Sequence, residues 1–172
     1  MMRSLLFLCG VLGWLVLPAQ LYSDHITVNF FLLDECRISQ SITGEINHVQ
    51  ETFDRPNFTF VGYFPSAAST PAKINAFRRD YRLSLPLLPD SEQTQTRRYG
   101  ATIAPQVVVY DEKNERVLYS GRIDNSYARV GQRRRVITAY DLREVLTAIT
   151  HQRPIETPVT QAVGCVLTLD RP

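Results

Sequence analysis

Lysine is nearly missing from this chain: of 19 basic residues only Lys73 and Lys113 are lysines, and against 17 acidic residues the net charge is +2. That balance gives no global reason to expect nucleic acid or an anionic membrane surface as partner. Cysteine is scarce too, with three in 172 residues, too few for a disulfide scaffold. No Cys-x-x-Cys-His haem motif and no glycine-rich phosphate loop occurs, so nothing in the sequence asks for a cofactor. His25, His48 and His151 stand at no spacing that makes a recognisable metal site. No internal repeat or low-complexity linker divides the chain. What is present, 44% hydrophobic residues, suits one domain with a real core.

The N-terminus reads as a targeting signal over residues 1–19. Arg3 supplies a short positive region, residues 5–17 an apolar stretch broken only by Gly10 and Gly13, and Pro18 with Ala19 a cleavage region near Ala19–Gln20. The stretch is too short to span a bilayer comfortably, which favours a cleaved secretory signal over an anchor. Leu8 ahead of Cys9 is a poor fit to the small residue that lipidation wants. Cleavage removes Arg3 and Cys9. It leaves Cys36 and Cys165 in a chain exported to the periplasm or the extracellular space, at a membrane only if the signal is kept. There two thiols can pair and stay paired.

The segment ITVNFFLLD, from Ile26, is β-branched, aromatic and almost wholly apolar, which predicts a strand buried on both faces. Ile38, Ile42, Ile46, Val49 and Phe53 then recur at helical spacing and predict one amphipathic helix. Cys36 falls at the junction of the two. FTFVGYF, residues 58–64, predicts a second buried strand. Thr70 and Pro71 mark a helix start, with Ile74, Phe77 and Tyr81 facing inward. SLPLLPD reads as an extended link and SEQTQTRRYG as a short helix ending at Gly100. A hairpin follows, with its turn at residues 112–114. Leu142, Val145, Leu146 and Ile149 mark a last helix, with Thr138 as its expected cap. The expected domain covers residues 20–153, and a proline-bearing tail, residues 154–172, packs back on it.

Cys36 is the first candidate for chemistry. A cysteine at a helix N-terminus meets unsatisfied N–H groups and the positive end of the dipole, which favour the thiolate. Arg37 can help, while Asp34 and Glu35 oppose it. The plainer alternative is a buried apolar filler. Pro105 is the second candidate, because it stands directly before a buried strand. A cis Ala104–Pro105 bond would set the Ala104 backbone beside Cys36, where it can meet an extended polypeptide or a small thiol; an ordinary trans proline is the alternative.

The element order is thioredoxin-like: an α/β fold with a central mixed sheet flanked by helices. FFLLDECRIS, FTFVGYFPS, YGATIAPQVVVYD, VLYSGRIDNSYA and AVGC together resemble the peroxiredoxin-like (redoxin-domain) branch of the thioredoxin superfamily, across roughly residues 26–168. The resemblance implies thiol–disulfide chemistry with a thiol or disulfide protein partner. By it Cys36 matches the first cysteine of the redox pair, Ser39 the second, and Pro105 the cis-proline. Arg37 replaces the proline that usually follows the cysteine, and Gln106 stands where many relatives are acidic; both touch the rim of the site. A peroxidase of this type needs Thr and Pro three and seven residues before its cysteine. Here Leu33 and Asn29 stand there, so efficient peroxidase activity is not expected.

With Ser39 beside it, Cys36 can form a mixed disulfide but cannot resolve it locally. Cys165 is the other cysteine of the mature chain. The tail can fold back so that Cys165 resolves or caps Cys36, the two can form a static link, or they never meet. Arg122, Asp124 and Tyr127, a recurrent set in the resemblance, can orient one another or simply clamp a loop. Arg133, Arg134 and Arg135 read as a solvated turn. The main expectation is an exported thiol–disulfide protein with Cys36 as nucleophile and Ala104, Pro105 and Arg37 facing the substrate. The second is a non-catalytic binding module, for a protein partner or Cu(I) held by two thiolates, with its cysteines inert or bonded.

Overall fold

In chain order the elements are β1 (Ile26–Phe31), α1 (Arg37–Ser41), α2 (Thr43–Thr52), β2 (Phe58–Phe64), α3 (Pro71–Tyr81), β3 (Leu87–Pro89), α4 (Thr94–Tyr99), β4 (Ile103–Ala104), β5 (Gln106–Asp111), β6 (Arg116–Gly121), β7 (Tyr127–Arg129), β8 (Gln132–Arg133), α5 (Asp141–Thr150) and β9 (Cys165–Val166). The computed structural model describes residues 21–169; the expected signal over residues 1–19, with Cys9, lies outside the described residues. No helix among the described residues is long and apolar enough to cross a membrane.

β1 is the centre of a five-stranded mixed sheet of order β3-β2-β1-β5-β6. β1, β2 and β3 run parallel, and β5 and β6 antiparallel to their neighbours. The period of two in β1 divides its side chains between two cores. Ile26, Val28 and Phe30 join Ile46 and Val49 of α2, Ile74 and Phe77 of α3, and Leu142 and Leu146 of α5. On the opposite face Phe31 and Val108 meet Tyr99 of α4 and Leu167 of the tail. Full burial of one such large apolar side chain contributes about 1.5–3 kcal/mol.

Three local expectations change. The single helix predicted after Cys36 is two, broken at Ile42, where φ is −91° and ψ −6°. Ser41 Oγ donates to Ile38 O at 2.9 Å and Thr43 Oγ1 to Gln40 O at 2.8 Å, and such back-bonding bends helices. The link after α3 contributes β3, an edge strand beside β2, where Pro89 is tolerated. Thr138 does not cap α5: its Oγ1 accepts from Asn125 Nδ2 at 2.8 Å, and the N-cap is Tyr140. Thr70 does cap α3, accepting from the Lys73 N–H at 3.4 Å, with Pro71 in the first helical position.

Asp111 organises the β5–β6 turn. Its carboxylate accepts from the Ser23 N–H at 3.2 Å, the Asn114 N–H at 3.1 Å and Asn114 Nδ2 at 2.8 Å. Burial alone pushes this carboxyl up, but the hydrogen bonds from Ser23 and Asn114 outweigh it and hold it below the ordinary value of 3.8. A carboxyl depressed in the folded state adds stability above its unfolded value, and loses it as pH falls through the folded one. Urea midpoints should therefore drop between about pH 5 and pH 2, and Asp111→Asn should flatten that slope. Equal slopes for both chains would remove Asp111 from the acid response.

The tail runs along β6 and then crosses to β4. The Ser120 N–H donates to Pro158 O at 3.0 Å, and the Thr160 N–H to Ser120 O at 3.1 Å. Thr160 Oγ1 meets the Tyr119 hydroxyl at 2.5 Å and accepts from the Arg122 N–H at 3.1 Å. A Cβ on Gly121 would collide with Thr160, so glycine permits this approach. β9 then pairs antiparallel with β4, Cys165 opposite Ala104.

Candidate functional site

β1 and β5 pair with Phe31 opposite Gln106, which brings the end of the central strand beside the turn that carries Pro105. Cys36 follows at the N-cap of α1, in extended conformation. Its N–H donates to Leu33 O at 3.1 Å, and its carbonyl accepts the Gln40 N–H at 2.9 Å. The residue is 3% exposed. Cys36 is joined to Cys165, 129 residues away, in a disulfide with a Cα–Cα distance of 6.4 Å. That separation is within the range unforced disulfides adopt. Of the three possibilities open in the sequence, the bond removes the one in which the two cysteines never meet. Cys36 Sγ also lies 3.4 Å from Ala104 O. A disulfide sulfur carries no proton, so this becomes a hydrogen bond only when Cys36 is a thiol.

Ser39 is fully buried, and its Oγ accepts from the Leu33 N–H at 3.3 Å. It pins α1 to the loop before Cys36. Arg37 is exposed at the rim. The two acidic residues ahead of Cys36 are occupied elsewhere. Asp34 accepts from Ser69 Oγ, and Lys73 Nζ lies 3.9 Å from Asp34 and 2.6 Å from Glu35. The hydrogen bond and charge of Lys73 hold the Glu35 carboxyl below its ordinary value. Sequence reading missed Lys73, because no local pattern links the first turn of α3 to residues 34 and 35.

Ala104 is fully buried, and the Ala104–Pro105 peptide is cis. Gln106 sets the approach to it. Its Oε1 accepts from the Thr102 N–H at 3.0 Å and the Ile103 N–H at 3.2 Å, and its Nε2 donates to Ser120 Oγ at 3.0 Å. An amide supplies acceptor and donor at once, which is the physical account of glutamine at this position. Gln106→Leu leaves two backbone donors without their acceptor and should cost about 1–3 kcal/mol in urea unfolding. An unchanged midpoint would mean that the clamp contributes nothing.

Arg122, Asp124 and Tyr127 line one small crevice with Pro105, and each makes its hydrogen bonds to a different partner. Arg122 makes a bidentate pair with Asp141 of α5, at 2.8 and 3.0 Å. That hydrogen-bonded pair raises the guanidinium further above its ordinary value. Asp124 accepts from the Ser126 N–H at 2.8 Å, and the Tyr127 hydroxyl meets Ser41 Oγ at 3.1 Å. Asp141, at the start of α5, takes the Arg122 fork because it presents both carboxylate oxygens to it. Arg133, Arg134 and Arg135 are exposed. A cleft of about 590 Å³ between α5 and residues 153–157 shares no lining residue with the surroundings of Cys36. No cluster of three or more His, Cys, Asp or Glu able to hold a metal is found among the described residues.

No family model matches the sequence, and neither does any curated protein. Solved structures do match. An uncharacterized conserved protein from Geobacillus kaustophilus superposes with a TM-score of 0.72 at 21% identity, over 85% of this chain and 78% of its own. A hypothetical protein from Sinorhizobium meliloti gives 0.72 at 21%, over 86% and 81%. A secreted Mycobacterium tuberculosis disulfide oxidoreductase, homologous to E. coli DsbE, gives 0.53 at 18%, over 73% and 83%. The chain has the thioredoxin fold. Within that fold Cys36 stands at the strand-to-helix junction, the Ala104 carbonyl faces it, and Cys165 arrives from the tail.

Proposed function

We propose that this protein is an exported thiol–disulfide exchange protein of the peroxiredoxin-like type, with Cys36 as nucleophile and Cys165 as its resolving partner. The observation that supports this most is the Cys36–Cys165 bond, formed at a helix N-cap across from the Ala104 carbonyl. A partner dithiol would open the bond. The Cys36 thiolate, favoured by the N–H groups at the start of α1, would then attack a disulfide of a partner polypeptide. Cys165 would next attack Cys36 in the mixed disulfide, release the reduced polypeptide and restore the bond. Ala104 and Pro105 would flank the incoming strand, with Arg37 at its rim. Arg122, Asp124 and Tyr127 would hold the loop beside the site.

The near-complete burial of Cys36 supports a second reading, a binding module whose disulfide is static. Turnover separates the two. With a dithiol as reductant, the full chain should catalyse reduction of a disulfide-bonded polypeptide, and Cys36→Ser should not. No rate above the dithiol alone would leave the binding module.

A further inference from the structure

We propose that residues 164–167 are a tethered copy of the polypeptide strand the Cys36 site accepts, which makes its substrate class an extended strand reading glycine–cysteine–any–apolar. This rests on the exchange function above and adds what the site recognises. Backbone pairing comes first. Cys165 lies opposite Ala104 and Val166 opposite Ile103, antiparallel, and the Leu167 N–H donates to Thr102 O at 2.9 Å. Such pairing selects an extended strand of one direction and leaves side-chain choice to pockets.

The pockets are present. Gly164 passes so close to the Ala104–Pro105 peptide that a Cβ would collide with the Ala104 carbonyl and lie 2.9 Å from the Pro105 nitrogen. Only glycine fits directly before the cysteine. Val163 lines a crevice of about 20 Å³ with Ile38, Ile42, Pro105 and Ile123 but also with Arg122, Asp124, Ser126 and Tyr127, so the position before Gly164 is left unread. Leu167 is buried with Phe31, Tyr99, Ala101 and Val108. Val166, between them, is 74% exposed, so that position goes unread. Disulfide closure asks only for Gly164; with Thr160 anchoring the tail to β6, it does not ask for an apolar residue at 167.

Once the Cys36–Cys165 bond is reduced, β9 and an incoming strand compete for β4. The Cys36 thiolate attacks the cysteine sulfur of a substrate disulfide. A Cys36–substrate disulfide forms, the substrate's own disulfide breaks, and its second sulfur leaves as a thiolate that takes up the proton Cys36 had lost. One disulfide is exchanged for another, and no outside oxidant is consumed.

The test uses the full chain carrying Cys9→Ser and Cys165→Ser, so that Cys36 is its single thiol. The probes are peptides copied from residues 162–168, their cysteine capped as a mixed disulfide with thionitrobenzoate. Release of thionitrobenzoate gives the rate, chain mass locates the adduct, and rates are divided by those of the same peptide with glutathione. Peptides bearing the equivalents of Gly164→Val or Leu167→Ser should react roughly tenfold slower than the parent, and that of Val166→Ser no slower. Equal normalised rates for all peptides, with Cys36 still reacting with the small symmetric disulfide of thionitrobenzoate, would overturn the strand pattern and leave exchange at Cys36 standing. No adduct from either reagent would remove both.

Discussion

Cys36→Ser is expected to end exchange outright and to lower stability by about 2–5 kcal/mol, the usual loss for a native cross-link. The stability part follows from the loop the bond closes. With Cys36 and Cys165 separated by 129 positions in sequence, the cross-link removes a large share of the unfolded chain's freedom. Cys165→Ser should lose the same stability but differ in chemistry. It keeps the nucleophile and loses the group that resolves it, so mixed disulfides with partner polypeptides should accumulate on Cys36. The double variant should be no less stable than either single one, because one bond is lost once. Urea unfolding of the oxidised chains and mass analysis after exposure to a disulfide-bonded polypeptide read both parts. Exchange surviving Cys36→Ser would assign the chemistry to Cys165.

Gly164→Val is the second large effect. The added side chain meets the Ala104 carbonyl, and neither that backbone nor the buried Ala104 beneath it can move aside cheaply. β9 must lift from β4, and Cys165 leaves its place beside Cys36. Oxidative closure of the reduced pair should slow by roughly tenfold or more, since about 1.4 kcal/mol of overpacking is a factor of ten. Thr160 still anchors the tail to β6, so the fold should lose little beyond the disulfide's share. Gly44→Ala is the control. Nothing lies within 4 Å of a Cβ there, and in α2 alanine should be neutral or slightly stabilising. Unchanged closure in Gly164→Val would mean that the tail reaches Cys36 without β9.

Much of this site was legible from side-chain type and spacing. The apolar run before Cys36 announced a central strand, and Thr70 with Pro71 announced α3. Both signals are local, one a period and the other a cap. The break at Ile42 was hidden, because the apolar spacing runs unbroken from Ile38 to Phe53 while the interruption lies in Ser41 and Thr43 bonding backward. Ser39 read as the absent half of a redox pair, and its structural work, an acceptor for the Leu33 N–H, depends on a fold-back no pattern encodes. Lys73 and Gln106 act through partners brought near by the sheet. Arg122 was read with Asp124 and Tyr127 as a mutual set or a loop clamp, and its ion-pair partner, Asp141, lies on another element. Contacts across elements were the illegible part.

The reduction potential of the Cys36–Cys165 pair tests the central claim most directly. Equilibrating the full chain in dithiol–disulfide buffers and quantifying the bond by thiol trapping gives it. A working pair should be half reduced above about −300 mV and return to the bonded state when the buffer is made oxidising. A bond that stays closed well below that potential, or opens only as the chain unfolds, would contradict exchange and leave a structural link.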